Sequence, residues 1–374
     1  MRLLINTGTT FKGGSIQVAK SFIEECRKFP EHKYIVVLSK ALEKQIDTSI
    51  FPKNFEFYAI PYRPATRVLS IKSPSSFFQK LFKETKPDVV FTTSGPAYWK
   101  PAVPHVVGYN LGHYIYPESP FFKLISMYRK MRFKFREFVV FYYFRRDSTS
   151  FVVQTDDVND RLRAKMNIDS VTTVSNTCSS VYFNWTTYPP KLPTKTSNEY
   201  RLLTLSAYYI HKGFHILIQV IKELKSLGMG HIKFVLTLKK EDYQRYFPDE
   251  VKSHIINVGP VVIEECPSLY KECDAMFLPT LLECFSASYV EAMAMDKPII
   301  TSDLGFAHTV CQDAAIYFNP EDASHATAKI VDIVNDEEKQ AEMIKKGRAR
   351  LNDFYGPEER AKRYLKICKA AIGA

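Results

Sequence analysis

The stretch "AMFLPTLLECFSASYVEAMAMDKPIITSD", residues 275–303, links two short apolar runs through a small-residue turn and an alanine- and methionine-rich segment. "AMFLPT" (275–280) and "PIITSD" (298–303) read as strands, with a helix between them that opens after "CFSAS" (284–288). Both runs are near-continuously apolar rather than alternating, as expected for parallel strands buried on both faces. A β-α-β unit of this kind implies an α/β domain, and ligands of such open sheets bind at the C-terminal ends of the strands.

Working outward, the same rhythm covers most of the chain. "LLIN" (3–6), "YIVVLS" (34–39), "FEFYAI" (55–60), "DVVFTT" (88–93), "HVVGYN" (105–110), "SFVVQT" (150–155) and "SVTTVSN" (170–176) read as strands. Helical spacing fits 15–28, 74–85 and 156–166 between them. "NWTTYPPKLPTKTSNEY" (184–200) holds three prolines and little periodicity, so it reads as a linker. Strand runs resume at 201–206, 232–238, 255–259, 275–280, 298–303 and 315–318, and the tail from 338 to 372 reads as helix broken near "YGP" (355–357). The expectation is two doubly wound, Rossmann-like domains with a cleft between them. The first covers 1–185 and is joined by a C-terminal helix, 357–374; the second, with the linker, covers 186–356.

The chain has 374 residues, enough for two domains of ordinary size, and is 45% hydrophobic and 24% charged, as folded globular chains are. No stretch approaches the roughly 20 apolar residues of a membrane span. "MRLLINTGTT" reads as a buried strand rather than a secretory signal. Seven scattered cysteines without a C-x-x-C pair give no support to a disulfide framework or a zinc site, and a reducing cytoplasm is the expected home. The net charge of +11 is uneven: residues 1–185 carry +12 and residues 186–374 carry −1. Such asymmetry points to an anionic partner for the first half.

Glu283 and Glu291 stand eight positions apart around the strand-to-helix turn. A helix N-terminus presents free backbone N–H groups that suit negative or polar ligand atoms. Eight helical residues span at most about 12 Å, comparable with the separation of the two sugars in a nucleotide sugar. A carboxylate accepts hydrogen bonds from a vicinal diol, so the pair suits two diols of one ligand. Spacing alone is also met by ordinary first-turn carboxylates that complement the helix dipole.

The surroundings separate these readings. Residues 257–303, "HKGFHILIQVI" (211–221), "KGGSIQVAKSFIEEC" (12–26) and "DAAIYFNPED" (313–322) together resemble glycosyltransferase family 4, the retaining group 1 enzymes of the GT-B fold. The family's E-x7-E element is matched by Glu283 and Glu291. The resemblance implies that Glu291 holds the nucleotide ribose and Glu283 lies at the transferred sugar. It also implies that the amides around Phe285, Ser286 and Ala287 approach the sugar and diphosphate, and that Lys212 grips the diphosphate. Gly13 and Gly14 correspond to a loop passing close to phosphate and acceptor, where a side chain would obstruct. Gly259 corresponds to the loop beside the base. For each glycine a plain turn fits the residues as well.

Three departures accompany the match. Ala207 stands where the family has an arginine five positions before its K-G lysine. By this alignment Tyr109 and Asn110 stand in place of a His-Asp pair, and His113, three residues on, fits either a polar group that takes over near the reacting sugar or a structural histidine. His308 and Thr309 occupy the region of an acid that is missing.

The block "FFKLISMYRKMRFKFREFVVFYYFRRD" (121–147) holds eight Lys/Arg, two acids and ten aromatics. Basic side chains attract anionic headgroups and aromatic rings suit the membrane interface. A basic-faced helix buried in the core satisfies the same composition. No nucleic-acid module surrounds it, and no nucleic-acid partner is expected.

The reading is a retaining glycosyltransferase of cytoplasmic location, peripheral on the inner membrane face. It would use a nucleotide-diphospho-sugar as donor substrate and a glycan or lipid-linked acceptor, in surface polysaccharide or glycolipid assembly. No metal or other cofactor is expected. The alternatives are a catalytically silent nucleotide-sugar-binding or scaffolding protein of this fold, and a nucleotide-sugar epimerase.

Overall fold

The computed structural model describes residues 1–11, 13–66 and 74–373. Lys12 of the Gly-Gly loop and Ala374, the last residue of the expected helix 357–374, lie outside the described residues. The first compact unit comprises residues 1–115, 127–177 and 355–374, and the second comprises 116–126 and 178–354.

In the first unit the strands are β1 (Arg2–Asn6), β2 (Lys33–Ser39), β3 (Phe55–Ile60), β4 (Val89–Thr92), β5 (His105–Gly108), β6 (Ser150–Val153) and β7 (Val171–Thr173). They form one sheet in the order β3-β2-β1-β4-β5-β6-β7, with every pairing parallel. Leu3, Leu4 and Ile5 are all fully buried, because successive side chains of β1 enter cores on opposite faces of the sheet. Leu3 and Ile5 meet Phe22 and Ile23 of helix Gly14–Glu25 and Tyr364 and Leu365 of helix Pro357–Ile372. Leu4 meets Phe78 and Leu81 of helix Pro74–Thr85, together with Trp99. Two covered faces explain why the strands read as apolar runs.

The second unit repeats the plan with β8 (Tyr200–Thr204), β9 (Ile232–Leu236), β10 (Ile255–Asn257), β11 (Ala275–Leu278), β12 (Ile299–Ser302) and β13 (Ile316–Phe318). Their order is β10-β9-β8-β11-β12-β13, again all parallel. Strand order therefore reverses between β1 and β4 in the first sheet and between β8 and β11 in the second. Each reversal is a topological switch point, where the loops leaving two central strands diverge and open a crevice.

The compact units do not coincide with the expected domain limits. The compact units divide at Thr177 and Cys178 rather than at 185 and 186. Tyr116–Ser126, within the stretch assigned to the first domain, packs with the second, so the basic block 121–147 is split between the two. None of the seven cysteines, all buried, forms a disulfide.

The terminal helix is held by a charged group as well as by apolar packing. Arg360 is 1% exposed and donates to the side-chain oxygens of Asn176 and, at 2.9 Å, Ser21. Removing a buried donor leaves its acceptors unsatisfied and adds a cavity. Arg360→Ala should cost the first unit about 2–4 kcal/mol, read as a lowered urea midpoint; an unchanged midpoint would show that the helix seats without it.

Candidate active site

In the second unit the loop after β8 carries Lys212 and the loop after β11 carries Glu283. Both loops leave the switch point of the sheet. The Lys212 ammonium forms an ion pair with Glu283 Oε1, each side chain being 15% exposed, and Thr280 Oγ1 donates to the same carboxylate oxygen at 3.2 Å. Glu291 follows in the second turn of helix Ala287–Ala294 and is buried. Burial pushes its carboxyl up to about 7, opposed by the Tyr182 hydroxyl, the Lys212 charge and the Tyr270 hydroxyl beside it. One ammonium thus acts on both carboxylates. Glu283 precedes the helix on a loop, so the two acids converge through chain folding and not through helical rise.

Local geometry explains why the two loops meet. Leu281 N–H donates to the His211 carbonyl at 2.7 Å, and Thr280 Oγ1 lies 3.2 Å from the same carbonyl. Gly213 has φ +70°, and a Cβ there would lie 1.8 Å from the Pro279 carbonyl oxygen. Only glycine permits that approach, which sets Lys212 beside the loop of Glu283. Burial also lowers the pKa of His211, keeping this neighbour of Lys212 neutral at pH 7. Phe285 and Ser286 are buried, with the Phe285 ring edge-on to Phe354 at 6.0 Å. Ser286 is the N-cap of the helix, so the amides of Ala287 and its successors face the helix entrance.

The remaining expected residues are dispersed. Gly259 follows the edge strand β10 with φ +80°, and β9 separates that strand from β8. Gly13, Gly14 and His113 belong to the first unit. Gly13 caps helix Gly14–Glu25 with φ +64°, and nothing lies within 4 Å of a Cβ built on either glycine. Both follow β1, at that sheet's switch point. His113 lies after β5 and its ring stacks on Phe133 at 5.2 Å. Among the departures, Asn110 accepts from Ser94 Oγ at 2.8 Å, Ala207 is exposed, and His308 pairs with Asp303 at 2.6 Å while stacking on Tyr317 at 3.8 Å. Tyr182, Tyr270, Thr280 and Gly213 were not singled out by sequence reasoning. Gly213 alone had a visible signal, as the second residue of the K-G element.

A second feature lies on helix Met127–Asp147 of the first unit. Met127, Tyr128, Met131, Phe135, Phe138 and Tyr142 are each 52–74% exposed. At roughly 100° per residue they fall within an arc of about 100°, a continuous apolar stripe. Val140, Phe141 and Phe144 face the core from the opposite side. Lys134 and Arg132 flank the stripe, and both are exposed. The composition that fitted either core or interface is therefore partitioned, core on one face and interface-like on the other. No helix among the described residues is long and apolar enough to cross a membrane.

The raised pKa of Glu291 has a consequence for stability. Below the ordinary glutamate value of 4.5 the folded and unfolded carboxyls are both protonated, and the fold bears no penalty. As pH rises toward 7 the unfolded chain ionises first, so stability falls by on the order of 3 kcal/mol. Glu291→Gln should therefore raise the melting temperature at pH 8 and leave it nearly unchanged at pH 4.5; an equal shift at both pH values would contradict the burial of the charge.

Residues 190–350 match the family model described as glycosyl transferases, group 1. The O-antigen chain mannosyltransferase RfbU of Salmonella typhimurium is 27% identical over 170 residues, which are 44% of this chain and 45% of that protein. The match thus spans under half the length of that curated relative. Two solved structures share the fold across the whole chain. WaaG, a glycosyltransferase involved in lipopolysaccharide biosynthesis, superposes with a TM-score of 0.72 at 13% identity, covering 98% of this chain and 99% of WaaG. HepE of Anabaena, in complex with UDP and glucose, superposes with a TM-score of 0.69 at 14% identity, covering 99% of each chain. Residues 190–350 thus resemble the group 1 glycosyl transferases, within a chain that has the two-domain GT-B fold.

Proposed function

We propose that the protein transfers a sugar from a nucleotide-diphospho-sugar to an acceptor hydroxyl with retention of anomeric configuration, as family 4 enzymes do. The observation that carries this is the convergence of Lys212, Glu283 and Glu291 at the β8/β11 switch point. Glu291, once ionised, accepts hydrogen bonds from the ribose hydroxyls. Lys212 exchanges its contact with Glu283 for the donor diphosphate, and the released Glu283 carboxylate turns to the hydroxyls of the transferred sugar. In HepE, a protein of the same fold, UDP and glucose are bound.

Chemistry follows from the leaving group. The anomeric carbon–phosphate oxygen bond breaks, and charge grows on the departing diphosphate. A fixed ammonium and helix-entrance amides stabilise that charge. The acceptor hydroxyl bonds to the anomeric carbon on the face the phosphate leaves, and its proton passes to a phosphate oxygen. In this scheme Lys212 and the amides of Phe285–Ala287 supply the positive potential, without a metal. Gly13, Gly14 and His113 would act from the first domain on phosphate and acceptor, and Gly259 beside the base.

The acceptor side is read from the exposed stripe. An apolar helix face flanked by cations inserts rings and thioethers at the headgroup level of an anionic bilayer. The proposal therefore includes peripheral attachment to the inner membrane face and a glycan or lipid-linked acceptor displayed there, in surface polysaccharide or glycolipid assembly.

Two measurements test the proposal. Glu291→Ala should weaken nucleotide affinity about tenfold or more, through loss of charged hydrogen bonds. Glu283→Ala should lower kcat by about a hundredfold or more. Wild-type kinetics in both variants would remove these residues from the site. The protein should also bind vesicles containing phosphatidylglycerol at low salt and release them as salt screens the attraction. Replacing Phe135 and Phe138 together by Glu should abolish that binding; undiminished binding would show that the stripe is not the contact.

A further inference from the structure

Tyr116–Ser126 leaves the first unit after Ile115, joins the second, and returns at Met127. It is an eleven-residue strap laid over the loops that carry Lys212 and Glu283. Ser119 is 6% exposed, and its Oγ donates to the Leu281 carbonyl at 2.6 Å while accepting from Phe121 N–H at 3.2 Å. The Leu281 N–H donates in turn to the His211 carbonyl. The residue two positions before Glu283 is therefore held from both sides, by the strap and by the loop of Lys212. Phe121, 4% exposed, sets its ring edge-on to His211 at 6.3 Å. At the outer end Lys123 reaches both Glu321 oxygens at 2.7 and 2.8 Å.

We infer that this strap positions the Lys212–Glu283 pair for the donor diphosphate, and that Ser119 is the residue through which it does so. A partly open pocket of about 200 Å³ borders the strap, lined by Pro120, Leu124, His215 and Leu281 among others. Ser119 touches neither the ammonium nor the carboxylates. It acts on them through the Leu281 peptide, so it is a positioning residue and not a catalytic one. This inference rests on the proposed donor site and extends it to a segment that lies far outside residues 190–350.

The test is calorimetric titration of the full chain with UDP, GDP and ADP, beside thermal melts. Ser119→Ala should weaken binding of whichever nucleotide the wild type takes by about tenfold. Its melting temperature should stay within about 2 °C of the wild type. Ser119→Thr, which keeps the hydroxyl, should bind within about twofold of the wild type. Wild-type affinity in Ser119→Ala overturns the inference, and so does weakened binding that follows an equal loss of thermal stability. A wild-type protein that binds none of the three nucleotides would instead remove the donor-site reading beneath it.

Discussion

The donor site proposed for this protein depends on one ammonium group that pairs with one carboxylate and acts on a second. Lys212 pairs with Glu283 and acts on Glu291; the first two lie on loops that diverge from the central strands β8 and β11, and Glu291 lies on the helix that follows the second loop. A parallel sheet wound in this order leaves a crevice at that point whatever its sequence. What the sequence adds is charge of both signs, placed where water is partly excluded. There a cation exerts more force on a phosphate than it would in bulk solvent. Gly213 is the backbone condition for this, since no other residue lets the Lys212 loop close on Pro279.

The same arrangement carries a cost that a purely structural residue would not impose. Glu291 sits among Tyr182, Tyr270 and Cys266, where desolvation disfavours its charge. A glutamine or leucine would fit such a site with less penalty at neutral pH. A carboxyl whose pKa lies near 7 is easily ionised by an incoming donor that offers hydroxyl hydrogen bonds, because each bond to the charged form lowers the pKa. Stability given up at one buried acid is the usual mark of a site shaped by binding rather than by folding.

Strand positions were legible because a sheet covered on both faces must be written as apolar runs; ten of the thirteen described strands fall within the runs read from the sequence, and β1, β2 and β8 begin one residue earlier. The acids Glu283 and Glu291 were legible through their spacing and neighbours. Their relation to Lys212 was not, since 71 positions separate Lys212 from Glu283 and only the closing of two loops joins them. Tyr182 and Tyr270 read as core aromatics, which they are; that they also face Glu291 is a tertiary fact. The strap Tyr116–Ser126 was read with the first domain, whereas its contacts group it with the second unit, a tertiary fact that local sequence does not carry. On helix Met127–Asp147 composition named the block but could not say which rings face inward.

The most direct measurement is a crystal structure of the full chain with a nucleoside diphosphate bound. The account predicts the diphosphate at the switch point of the second sheet, with the Lys212 ammonium drawn from Glu283 onto a phosphate oxygen and Glu291 accepting from both ribose hydroxyls. A nucleotide bound elsewhere, or bound there with the Lys212–Glu283 pair intact and Glu291 out of reach of the ribose, would contradict it.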